Sequence, residues 1–206
     1  MYTPDHFRIE DREQSFDIIE QNPFGMIVSP GGDSAPDASH APFHLLREKG
    51  ENGTLQFHLA RANPQAKRLD GQSVRCIFAG PHAYVSPTWY TAGPAVPTWN
   101  YVAVHCLGRA VRIEDPEVLA AQMRVLSGAY EDGGPWRFDE LPDKFRAGML
   151  KGIIGFEIRI EEIIGKAKLS QNRSDSDIES TAAALEKANR GDDAAVAALM
   201  RTARRG

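Results

Sequence analysis

Six short runs of apolar or alternating residues follow one another over positions 24–28, 41–46, 54–59, 74–79, 82–86 and 101–113, and Gly, Pro, Asn or Asp separates each from the next. Short apolar or alternating runs bounded in this way suit strands, and several strands at such spacing build a barrel. A later run obeys the same rule. Phe156, Ile158 and Ile160 alternate with Glu157, Arg159 and Glu161, the pattern of a strand with one face buried. It comes after a helical stretch, so the core is expected to close late in the chain.

Helices are expected on both sides of these strands. Positions 11–21 read as one, with Asp11 as N-cap, Gln14 in the capping-box position, apolar contacts from Phe16, Ile18 and Ile19, and Asn22-Pro23 as a stop. Asp115-Pro116 starts another, for which Val118, Leu119, Met123, Leu126 and Tyr130 form the expected buried stripe. A further helix covers 141–151. Beyond Ser174 the composition turns to Ala, Asp, Glu and Arg, and two helical patterns, 177–189 and 192–204, are separated by Arg190-Gly191. The expected organisation is a barrel domain over residues 1–174 and a helical C-terminal tail over 175–206.

Charge and cysteine content exclude several classes. The formal net charge of the 206 residues is -4 and the sequence pI about 5.9, so no global field draws the chain to a phosphate backbone. No window is apolar for long enough to span a bilayer and the N-terminus lacks a leader pattern, so a cytosolic protein without membrane contact is expected. Cys76 and Cys106 lack metal-type spacing and read as buried reduced thiols in strands. His40 and His44 could share a strand face, but roughly 13 Å of extended chain would separate them. His58, His82 and His105 fall on separate strands. No metal site is expected. Nucleophile-elbow, Walker and dinucleotide fingerprints are absent from the sequence.

Two segments carry candidate chemistry. Between Gly80 and Cys106, Pro-Thr-Trp occurs twice, at 87–89 and 97–99, concentrating rigid and aromatic residues suited to a flat-walled pocket. The second copy leads into a strand with Tyr101, Ala103 and His105 on one face. Trp99, Asn100, Tyr101 and His105 could therefore meet one planar, hydrogen-bonding ligand, or could pack into the core; the first copy reads as scaffold. In the strand 54–59, Thr54, Gln56 and His58 oppose Leu55, Phe57 and Leu59, and the polar face leads into Arg61, Asn63, Pro64 and Gln65. Asn63 suits an N-cap and Pro64 a first helical position, so the turn either offers amides and Arg61 to an anion or merely caps a short helix.

The blocks MYTPDHF, HLARANPQ, GPHAYVSPTWY, VPTWNYVAVHCLG, GFEI and KLSQNR, in this order over most of the chain, resemble the PaiB-type proteins. These are FMN-binding split barrels, often labelled negative transcriptional regulators and related to pyridoxamine phosphate oxidases. The resemblance implies a mainly β (α+β) split barrel with peripheral helices and a helical C-terminal tail. It also implies FMN as cofactor, a homodimer with two equivalent sites, and a regulatory or sensory role; the alternative is a flavin-dependent oxidoreductase acting on a small molecule. His58, Arg61, Asn63 and Gln65 would lie at the flavin phosphate, Asn63 and Gln65 standing where relatives often have serine and lysine. Trp99, Asn100, Tyr101 and His105 would lie near the ring, and Lys168 with Ser170 would close the pocket. No catalytic residue is assigned. Haem-degrading relatives use a histidine in a C-terminal segment, and this chain has none after His105. DNA is admitted as a partner by the family label alone: the helix after Arg190-Gly191 opens with Asp192 and Asp193, and only Arg201, Arg204 and Arg205 form a short basic cluster.

Overall fold

The computed structural model describes residues 1–32, 35–91, 93–131 and 134–203; Arg204 and Arg205 of the expected basic cluster lie outside the described residues. Eight strands are described: β1 (Arg8–Ile9), β2 (Phe24–Ser29), β3 (Asp37–Pro42), β4 (His44–Leu46), β5 (Thr54–Ala60), β6 (Ser73–Val85), β7 (Thr98–Arg112) and β8 (Ile153–Lys168). They form one sheet in the order β3-β2-β6-β7-β8-β5-β4, with β1 pairing antiparallel on β8. Six α-helices accompany them: α1 (Arg12–Gln21), α2 (Pro64–Arg68), α3 (Pro116–Gly128), α4 (Asp143–Lys151), α5 (Asp175–Ala188) and α6 (Asp193–Ala203). The chain divides into two compact units, one of residues 22–78 and 105–163, the other of 1–21, 79–104 and 164–206.

The first unit is built on strand alternation. On β5 and β8, Leu55 faces Ile158 and Phe57 faces Phe156, all four fully buried, while Gln56 pairs with Glu157 and His58 with Gly155 on the other face. Phe57 stacks on Phe156 at 5.4 Å between centroids and meets Phe43 at 4.9 Å, which gives this unit an aromatic centre. The expected strand 41–46 is two strands. The Phe43 amide donates to Pro23 O at 2.8 Å, leaving the ladder between Pro42 and His44. In α3, Asp115 caps the Glu117 amide as expected, but the buried residues are Leu119, Ala120, Gln122 and Leu126. Val118, expected in the stripe, is exposed because the buried face is centred on the 119–122–126 line, and Tyr130 is exposed because α3 ends at Gly128, before it.

The expected strands 74–79 and 82–86 join into β6, which pairs with β2 at residues 75–77 and whose residues 79–85 belong to the second unit. The two tail helices belong to this unit. α5 buries Ile178, Ala182 and Leu185; α6 buries Val196, Ala197 and Met200. Ser174 caps α5, and Asn189 ends it in the left-handed region at φ 48°. Asp177 Oδ1 accepts from both Thr91 N and Thr91 Oγ1 at 2.7 Å, and Ser180 Oγ donates to Trp89 O at 2.7 Å. The first Pro-Thr-Trp copy is thus a 3₁₀ turn, Pro87–Trp89, fastened by α5, whereas the Thr and Trp of the second copy begin β7.

Candidate functional site

In the second unit, alternation along β7 sends Trp99 outward and Asn100 inward. Trp99 is 52% exposed, Tyr101 half-buried and Asn100 completely buried. Trp99 lies 6.1 Å from the His82 ring and 6.2 Å, edge-on, from Tyr84; Tyr84 in turn meets Trp89 at 6.5 Å. An aromatic row is therefore left open to a flat ligand. Behind it, Asn100 Nδ2 donates to Ser170 Oγ at 2.9 Å and to Met200 Sδ at 3.3 Å. Ser170 is buried and held at φ 67°, a left-handed conformation that a non-glycine residue keeps only when its surroundings enforce it. Lys168 Nζ donates to Thr98 Oγ1 and to Trp99 O, both at 2.5 Å, so it fastens the start of β7. Burial, then the nearby Lys166 charge, lowers the Lys168 pKa.

The remaining four residues lie in the other unit with His105. Asn63 Oδ1 accepts from Gln65 N at 2.9 Å, the N-cap expected for α2, and its Nδ2 donates to Ser39 Oγ at 3.0 Å. Gln65 is buried; its Nε2 donates to Ser29 Oγ at 2.9 Å and its Oε1 finds no partner. Arg61 is exposed, but its Nε and Nη2 donate to Lys151 O and Ile153 O, at 2.6 and 2.9 Å. These side chains are committed to internal bonds. His58 Nδ1 is buried without a hydrogen-bond partner, and burial lowers the His58 pKa. His105 Nδ1 lies 3.2 Å from Arg75 Nη1. A guanidinium can only donate, so Nδ1 accepts and the neutral ring carries its proton on Nε2. Burial, followed by the Arg75 charge, lowers the His105 pKa.

The family described as "Putative FMN-binding domain" matches residues 1–162. The chain belongs to this family. Among relatives, it is 37% identical over 180 residues to the protease synthase and sporulation protein PAI 2 of Bacillus subtilis, covering 86% of this chain and 85% of that one. Two solved structures share the fold. The flavocytochrome Anf3 of Azotobacter vinelandii superimposes with a TM-score of 0.63 at 19% identity, over 78% of this chain and 69% of that one. A FAD and haem binding protein of Mycobacterium smegmatis gives 0.62 at 17% identity, over 83% and 78%. The expected fold class, an α+β split barrel with peripheral helices and a helical C-terminal tail, is the one observed, and FMN is the cofactor that family membership supports.

The residues present fit that group. The open Trp99, Tyr84 and His82 faces suit a planar ring system. Among the described residues, no group of three or more His, Cys, Asp or Glu is placed to hold a metal ion, and no helix is long and apolar enough to cross a membrane. Sequence reasoning missed Tyr84 and His82 as walls beside Trp99. Both lie in the GPHAYVSPTWY block, and their alternation with buried Ala83 and Val85 was the available signal.

Proposed function

We propose that this protein is a cytosolic, homodimeric FMN-binding split barrel of the PaiB type, with a regulatory or sensory role. The observation that carries the reading is the open aromatic face at Trp99, backed by the buried Asn100–Ser170 pair, in a chain related over most of its length to PAI 2. FMN, when bound, supplies reversible electron transfer. The chain's part is to seat the ring against Trp99 and Tyr101, with Asn100, Ser170 and Lys168 fixing that strand. His58, Arg61, Asn63, Gln65 and His105 are proposed as flavin-binding residues on the family resemblance alone; of the turn residues, the internal bonds of Arg61 and Gln65 favour a role in shaping the turn.

The α5–α6 pair gives a regulatory role no support through helix-turn-helix contact. Asp192 Oδ2 accepts from His82 N at 3.2 Å, and Asp193, buried, accepts from Arg190 N at 3.0 Å, so the start of α6 is held inside its own unit. A visible spectrum of the purified protein, with an FMN titration, tests the cofactor: absence of flavin absorption and of binding overturns the reading. Trp99→Ala is expected to weaken FMN binding about tenfold or more with the fold retained, as loss of base–aromatic-type stacking does. Gel shifts with the protein's own upstream DNA at two salt concentrations test regulation, since purely non-specific binding is strongly salt-dependent. Sedimentation tests the dimer.

A flavin-dependent oxidoreductase is the second reading. It is favoured by His105, a neutral imidazole whose Nε2–H is oriented by Arg75 and can donate to a reacting group. NADPH oxidation by FMN-loaded protein, lost in His105→Gln, would support it.

A further inference from the structure

Three cations near the end of β8 have no carboxylate partner among the described residues. Lys166 is 7% exposed; its Nζ donates to Tyr2 O at 3.1 Å and lies 5.1 Å from the Tyr101 ring centroid. Lys168 bonds only neutral oxygens, Thr98 Oγ1 and Trp99 O. The Arg173 guanidinium lies 4.4 Å from the Tyr90 ring centroid, and no described residue accepts a hydrogen bond from its side chain. Asp177 feels the Arg173 charge, but its carboxylate is turned to Thr91 N and Oγ1. In a chain of net charge -4, leaving such a cluster half-buried and uncompensated costs free energy that an anionic ligand would recover.

The backbone brings two of these cations to one place. Arg173 N donates to Ser170 O at 2.9 Å, closing a tight turn whose first residue is the left-handed Ser170. Lys168 and Arg173 then line one cavity of about 160 Å³ together with Thr98, Asn100, Ser170 and Asn172, with the Tyr90 ring as a wall. Among the described residues, no carboxylate lines it. The volume is below the roughly 300–1,000 Å³ of pockets for drug-sized ligands and well above the ~30 Å³ share of one water, so it suits a small oxyanion or the anionic end of a larger molecule.

We propose that this cavity is an oxyanion site, taking a phosphate group with Arg173 as the directional donor, stacked on Tyr90, and Lys168 as the point charge. The group is either the phosphate of FMN or a free small phosphate. This extends the FMN reading and does not require it.

The test is calorimetric titration of the full chain with inorganic phosphate, FMN and riboflavin, in the wild type, Arg173→Gln and Lys168→Gln. Wild type is expected to bind phosphate, and each variant to lose at least about tenfold in affinity, roughly the value of one charge-assisted contact. Phosphate competing with FMN but not with riboflavin assigns the site to the flavin's own phosphate; phosphate binding equally well to FMN-saturated protein assigns it to a separate anion. Both support the site. If FMN fails to bind while phosphate binds and is lost in the variants, the FMN reading falls and the oxyanion site stands. Because Arg173→Gln removes the cation stacked on the Tyr90 wall, circular dichroism of each variant and a phosphate-specific rise in wild-type Tm, against chloride at equal ionic strength, keep the test independent of folding. Wild type without phosphate binding, or folded variants with unchanged phosphate affinity and unchanged preference for FMN over riboflavin, would overturn it.

Discussion

Asn100 and Ser170 hold each other through their side chains, Asn100 Nδ2 donating to Ser170 Oγ at 2.9 Å and Ser170 Oγ lying 3.3 Å from Asn100 Oδ1, with both residues buried. Asn100→Ala removes one partner and leaves the Ser170 hydroxyl dry. The expected loss is about 1–3 kcal/mol of unfolding free energy. Urea unfolding followed by far-UV circular dichroism measures it, and an unchanged midpoint would show that the pair contributes nothing to stability.

Gly108 and Gly148 should respond in opposite directions to alanine. A Cβ at Gly108 would sit 2.3 Å from Arg159 O and 2.8 Å from Ile158 Cγ2, and a backbone oxygen within a sheet cannot step aside cheaply. Overpacking of this kind costs about 1–3 kcal/mol or more. Gly148 lies exposed inside α4 and its Cβ would meet nothing within 4 Å, so Gly148→Ala is expected to stabilise by up to about 1 kcal/mol. Thermal melts of the two variants side by side decide both signs.

Acid should destabilise this protein before its carboxylates titrate. The His58 and His105 pKa values are lowered in the folded state from the ordinary 6.5, by burial in both cases and by Arg75 at His105. Below pH 6.5 the unfolded chain takes up these protons first, so stability is full above that value and falls as pH drops towards the folded-state values. Denaturation midpoints between pH 7.5 and 5 should decline, and His105→Gln should flatten part of the slope. An identical slope in the variant would remove His105 from the account.

The two thiols give the opposite limb. Burial pushes Cys106 up to about 12 and raises Cys76 as well, the latter also by proximity to Cys106. An unfolded thiol ionises near 9, so stability is expected to fall as pH rises from about 9 towards 12. At pH 8 both should resist an alkylating reagent in the native state and react once guanidinium unfolds the chain. Rapid native labelling of either would contradict their burial.

Much of the first unit was legible because period-two alternation is a local property. Leu55 and Phe57, with Phe156 and Ile158, point inward as their spacing requires, and Asp11, Asn63 and Asp115 each cap the backbone amide of a helix start as their positions require. Whatever depends on a distant partner was not legible. Pro-Thr-Trp is a 3₁₀ turn at 87–89, where α5 fastens it, while Thr98 and Trp99 of the same tripeptide enter a strand. Val118 and Tyr130 fit a helical stripe, yet the buried face of α3 is centred away from Val118 and the helix ends before Tyr130. In the candidate site, Trp99 stood out as a costly residue in a rigid context. Arg173 did not, since its meaning comes from Tyr90, more than 80 residues earlier, and from the absence, among the described residues, of a carboxylate bonded to it.

The sulfur of Met200 faces the Asn100 amide at 3.3 Å, and its side chain is sealed from solvent, whereas Met149 is 58% exposed. A thioether so enclosed is out of reach of peroxide until α6 lifts away. Sulfoxide accumulating at position 200, read by mass spectrometry against position 149 in the same sample, is therefore a clock for how often the last helix opens.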